Sequence, residues 1–168
     1  MAFITSQEVK KARKIANTIS REYGFKVSTT KYSYCGINVN LMEGKKITID
    51  DLNINGYMRN FIESHGTSSF ENIESFEEWF RLYGGGMADI HHEWSLYSRI
   101  SNLIDEGQGS LHLFKDGSNI KNMAKLIEDK IKIELKYHNK NNSMIDYYDE
   151  KFYYDFEVGK WNKPYKTI

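Results

Sequence analysis

Asp89, His91, His92 and Glu93 stand together in a chain of 168 residues, shortly after Gly84-Gly85-Gly86. Carboxylates and imidazoles this close in sequence are the side chains that bind divalent metals or move protons near neutral pH. On a helix, Asp89 shares a face with His92 and Glu93, three and four residues on, whereas His91 points elsewhere. Adjacent histidines do not readily chelate one ion, the HExxH spacing of zinc proteases is missing, and a single cysteine supplies no ligand pair. The simpler reading puts Asp89 and Glu93 in a first helical turn, where unsatisfied amides favour negative charge. An enzyme built on Asp89, His92 and Glu93 is therefore the weakest of three functional readings, and no catalytic residue, cofactor or metal is assigned.

The triple glycine lacks the spacing of a dinucleotide fingerprint and the Gly-Lys-Ser/Thr of a P-loop. It reads as a helix stop joined to a helix start. Cys35, beside Gly36 in a strand pattern, has no base assignable by spacing, and no Gly-x-Ser-x-Gly elbow occurs. One cysteine cannot form an internal disulfide, which with the start of the chain leads to the expectation of a cytoplasmic protein. No apolar run approaches the ~20 residues needed to span a bilayer, so no membrane is expected.

The elements that would carry these residues follow from periodicity. Thr5-Ser6-Gln7-Glu8 reads as a capping box, followed by a helix with Val9, Ala12, Ala16, Ile19 and Tyr23 on one stripe and Gly24 at its end. Phe25–Tyr32 and Tyr34–Met42 read as a hairpin, with Ile37, Val39 and Leu41 on the face that a helix covers. Further helices are expected over 73–83, 89–106 and 118–137, and a short one over 57–64. Phe152, Tyr154, Phe156 and Val158 alternate with Tyr153, Asp155 and Glu157, the period of a strand with one wet face. The fold class is thus α+β in a single domain, 1–168: a small antiparallel sheet of the hairpin plus the closing strand, packed against about four amphipathic helices.

Net charge is zero, with 23 Lys/Arg against 23 Asp/Glu, but the charges are segregated. Residues 1–49 carry nine basic and three acidic side chains, and residues 50–93 carry two and nine. Such blocks either neutralise each other in the fold or present two faces of opposite potential to a partner. The overall balance argues against a wholesale DNA mimic and against a strongly basic nucleic-acid binder.

Two stretches together resemble a known family. The opening "ITSQEVKKARKIANTISREYGFKVSTTKYSYCGINVNL" and the ending "DYYDEKFYYDFEVGKWNKPY" are similar to the large polyvalent protein-associated domains of phages and plasmids. The closing motif maps onto Asp146, Tyr147, Tyr148, Asp149, Gly159, Lys160, Trp161, Lys163 and Pro164. The resemblance implies a mobile-element setting, in which such domains accompany proteins that protect incoming DNA or manipulate the host. It implies no catalytic residues. The leading expectation is a non-enzymatic accessory protein that binds a host protein complex or defence ribonucleoprotein, a CRISPR effector among them, as a counter-defence factor. Its contact surface is expected at Tyr57, Glu74, Glu77, Glu78, Asp89, His92, Glu93 and Tyr97, and at Asp146 to Asp149 and Trp161. The alternative is a nucleic-acid-binding module using Lys10, Lys11 and Lys14 of the first helix and Lys121, Lys125 and Lys132 of the last, with Tyr32, Tyr34 or Tyr57 as stacking surfaces.

Overall fold

The computed structural model of the protein describes residues 2–83, 89–138 and 151–168, without the Tyr83 side chain. Gly84-Gly85-Gly86 and Asp146, Tyr147, Tyr148 and Asp149 lie outside the described residues. Helix α1 (Ser6–Glu22) begins at the expected box: the Thr5 hydroxyl accepts from Glu8 N–H at 3.1 Å, and the Glu8 carboxylate accepts from Thr5 N–H at 2.9 Å. It buries Val9, Ala12, Ala16 and Ile19 and ends before Gly24, which takes the left-handed φ of +80°. Strands β1 (Lys26–Tyr32) and β2 (Gly36–Gly44) then form an antiparallel hairpin.

Four more helices follow: α2 (Gly56–His65), α3 (Ile73–Tyr83), α4 (Ile90–Asp105) and α5 (Asn119–Glu134). Ile47 and Ile49 suggest an extended piece, but Ile49–Asp51 is a 3-10 turn closed by Asp51 on the Thr48 amide at 3.0 Å. Short β3 (Gly109–Ser110) precedes α5; β4 (Tyr153–Val158) and β5 (Lys166–Thr167) close the chain. Helix α5 stops before the expected Tyr137. Lys136 turns to a left-handed φ of +52°, and the Lys151 ammonium donates to the Leu135 carbonyl at the helix end.

The architecture is α+β, with the hairpin and closing strand in one five-stranded sheet of order β1-β2-β4-β3, in which β5 also pairs with β2. Strand direction adds what period-two alternation does not carry: β4 runs parallel to β2, pairing Ile37 with Tyr154, Val39 with Phe156 and Leu41 with Val158. Helix α5 is the reason. It returns the chain to the start of β2, where Tyr153 N–H reaches the Cys35 carbonyl at 2.9 Å. Ile37, Val39 and Leu41 are fully buried, and α1 packs on β1 and α5. Around Phe61 and Phe76, helices α2 to α4 assemble a second set of aromatic contacts in the same core.

Glu8 joins the two ends of the chain, since its carboxylate also pairs with Lys151 at 3.1 Å. Burial pushes the Glu8 carboxyl up, but hydrogen bonds from Thr5 and Lys151 and the Lys151 charge outweigh it and hold the group below its ordinary value. A depressed folded-state pKa adds stability at pH above the unfolded value, lost as pH falls through the folded one. Glu8→Gln should cost about 1 kcal/mol at pH 7, and the gap to wild type should close below pH ~4 in denaturant titrations. A gap independent of pH would show that the Glu8 charge has no such role.

Candidate binding surfaces

Both β4 and β5 pair in parallel with β2, and their registers do not join. β2 advances two residues, from Leu41 to Glu43, while the opposite chain advances eight, from Val158 to Lys166. The six extra residues leave the sheet as a loop. Its stem is a backbone crossing: Gly159 N–H donates to Leu41 and Tyr165 N–H to the Gly107 carbonyl, each at 2.8 Å, and the buried Asn40 amide donates to the Gly159 carbonyl at 2.8 Å. Gly159 holds φ +68°, and a Cβ there would collide with the Gly107 carbonyl oxygen.

The loop tip is a tight turn. Lys160 and Lys163 exchange backbone hydrogen bonds of 2.8 and 3.1 Å, and the Gln108 side-chain amide donates to the carbonyls of Lys160 and Trp161 at 3.0 Å. This scaffold places Trp161 in solvent with 91% of its surface exposed. An indole ring that stays in water forgoes about 4–6 kcal/mol of burial. A ring carried on a hydrogen-bonded turn loses little backbone freedom when it is covered.

Beside the turn, a cavity of about 420 Å3 runs along β1, with Met42 and Glu43 of β2 also in its lining. Arg13 and Asn17 from α1 form one bank, Lys160 and Lys163 the other, and Lys26, Ser28 and Thr30 the floor. The Lys160 ammonium reaches across the sheet to the Ser28 hydroxyl at 2.9 Å. Among the described residues, Glu43 is the single carboxylate lining it, 3.5 Å from Lys26. Charge segregation thus survives folding. Among the described residues, the one ion pair between the basic 1–49 block and the acidic 50–93 block is Lys45 with Asp51, at 3.6 Å.

The other sequence candidates divide. Glu74 and Glu78 are exposed on α3, and Glu77 pairs with Arg81 one turn on. Tyr57 is 40% exposed and meets Phe80 edge-on; burial, then the nearby Glu93 carboxylate, raises its hydroxyl pKa. Tyr97 is a correction: 1% exposed, it accepts from Ser69 N–H and donates to the Gly66 carbonyl, both at 3.2 Å, and so braces the 66–69 turn inside the core. Asp89 caps α4, accepting from His91 and His92 N–H at 3.1 and 3.4 Å, so its oxygen serves the helix. His91 and His92 are exposed, Glu93 is half-buried, and no group of three or more His, Cys, Asp or Glu side chains is placed to hold a metal among the described residues. Of the lysines, Lys10, Lys11, Lys14 and Lys125 are exposed. Lys121 is held by Asp116 at 3.0 Å and the Phe114 carbonyl at 3.2 Å. Lys132 is held by Glu128 at 2.7 Å and lies over the Tyr137 ring. The last helix is thereby weakened as a phosphate-binding face.

Sequence reasoning names Trp161 as a contact residue but does not reach the cavity that Lys160 and Lys163 line. Arg13, Asn17, Lys26 and Ser28 carry no motif; only the sheet brings them to Lys160 and Lys163. The spacing of Gly159 and Pro164 around Trp161 is the one signal that marks a loop rather than more strand.

Trp161→Ala should leave unfolding free energy within about 0.5 kcal/mol of wild type. Gly159→Ala should cost roughly 3 kcal/mol, from strained φ plus overpacking, and Gly24→Ala, with open space around it, only the left-handed φ cost of about 1 kcal/mol. Equal costs at the two glycines in chemical denaturation would contradict the crossing. Comparison with known protein families, with curated proteins and with solved structures finds no match to this chain.

Proposed function

We propose that this chain is a non-enzymatic accessory protein that works by docking onto a partner macromolecule, with the Trp161 loop as its anchor. The observation that carries this reading is the loop itself: six residues displaced from a sheet that continues on either side of them, braced by Gln108 and Asn40, with an indole at the tip. Aromatic rings have few rotatable bonds to lose on binding and dominate interface energetics. The acidic α3 surface, with Glu74 and Glu78 unpaired among the described residues, adds steering towards a basic partner. In the mobile-element setting that the resemblance implies, the partner is a host protein or defence ribonucleoprotein complex and the role counter-defence.

A second reading, contact with nucleic acid, is favoured by the cationic cavity beside the loop rather than by the two lysine-bearing helices. Lys10, Lys11 and Lys14 lie on α1, which also supplies Arg13 to that cavity.

Affinity capture from a bacterial host lysate, run with wild type and Trp161→Ala side by side, tests the docking reading. A defined host complex should be retained by wild type and reduced at least tenfold with the variant, and wild type should weaken host defence in a challenge assay. Identical capture by both proteins, or none by either, would remove the loop as anchor.

A further inference from the structure

We infer that the cavity along the β1 edge is a binding site for single-stranded nucleic acid, with Trp161 as the ring on which a base stacks. The inference rests on the reading of the Trp161 loop as an anchor and names the chemistry that the anchor meets.

The site has the two parts that such recognition needs. The first is a track of cations for the phosphodiester backbone: Arg13, Lys26, Lys160 and Lys163 surround the cavity with one opposing carboxylate, Glu43. Two of the four are held in place, Arg13 by the Thr29 carbonyl and Lys160 by the Ser28 hydroxyl. The Asn17 amide and the Ser28 and Thr30 hydroxyls line the same space and supply neutral donors for phosphate oxygens. The second part is the exposed aromatic surface. Trp161 follows Lys160 in the turn and lines the adjoining hollow with Gln108 and Glu157; Lys160 lines both spaces, so a strand that leaves the cavity past Lys160 reaches the ring. A base can reach that ring only when it is unstacked, which selects single strands over duplex.

The chief competitor for a basic groove at a sheet edge is an acidic peptide that adds a strand to β1. The structure disfavours it. The Arg13 guanidinium closes on the Thr29 carbonyl through Nε at 3.2 Å and Nη2 at 3.1 Å, at the middle of the edge that an incoming strand would have to pair with. Arg13 so placed stoppers the edge against backbone pairing. Its remaining N–H groups are left for a ligand that needs no backbone ladder.

The test is fluorescence anisotropy with a labelled 12-nucleotide oligothymidine, across a salt series, on the full chain. Binding should weaken as salt rises, with a log–log slope of roughly −3 for four contacted phosphates. Lys26→Ala and Lys163→Ala should each reduce that slope by about 0.7. Trp161→Ala should weaken binding roughly 5- to 150-fold at unchanged slope, and Trp161→Phe should restore most of it. Thermal unfolding of each variant checks the fold. Duplex DNA and poly-glutamate should compete poorly.

No binding at low salt overturns the inference. So does binding indifferent to Trp161, or equal competition by poly-glutamate, since either marks bulk polyanion attraction. If the oligonucleotide fails while Trp161→Ala still loses a captured host complex, the nucleic-acid inference falls and the docking reading stands. If Trp161→Ala alters neither, both fall.

Discussion

The parallel pairing of the chain's end with β2 is the constraint on which the rest of this structure depends. β2 is buried along nearly its whole length, and its two edges are filled by segments of very different origin, β1 from the adjoining hairpin and β4 from more than a hundred residues away. Parallel pairing demands a crossover, so everything between residues 45 and 152 has to be accommodated before the sheet can close. The N-terminus is locked in by the same event. Phe3 N–H donates to the Lys151 carbonyl and Ile4 N–H to Tyr34, while Lys151 reaches both Glu8 and the end of α5.

The same pairing explains why the Trp161 loop is where it is. Had β4 run on unbroken into β5, Trp161 would have been one more alternating residue of a strand. Instead the backbone crosses at Gly159 and Gly107, where neither position has room for a side chain, and resumes on β2 six residues later than continuity requires. The crossing fixes the loop's base, Gln108 fixes its tip, and the cationic edge of β1 is brought alongside because β1 and the loop flank the same strand. Local stability and exposed apolar surface are thereby separated within one short segment. A stable crossing holds a ring that itself contributes almost nothing to folding.

Much of this was legible in the sequence where a local rule suffices. The Thr5–Glu8 box, the stripe of α1, the helices α3, α4 and α5, the stop at Gly24 and the alternation of Phe152 to Val158 each depend on a few neighbouring residues, and each appears in the fold. Most of what escaped depends on residues far apart. The direction of β4 is set by its pairing with β2, more than a hundred residues earlier, whereas the pairs Lys121–Asp116 and Lys132–Glu128 are local and were missed because spacing does not fix which way a lysine side chain turns. Charge segregation was visible along the chain, but its survival was not, because neutralisation or its lack is decided by which faces meet. The cavity of Arg13, Lys26, Lys160 and Lys163 combines all of these: no two of its banks are neighbours in sequence, so no spacing could reveal it.

The central claim is that the ring held out by this crossing is the contact surface. Hydroxyl-radical footprinting with mass spectrometry reads it most directly, because Trp79 and Trp94, half-buried in the core, serve as internal references. Trp161 should be the most reactive tryptophan in the free protein and should lose most of that reactivity once partner or oligonucleotide is bound, with Trp79 and Trp94 unchanged. Undiminished oxidation of Trp161 in a complex shown to be saturated would contradict the account.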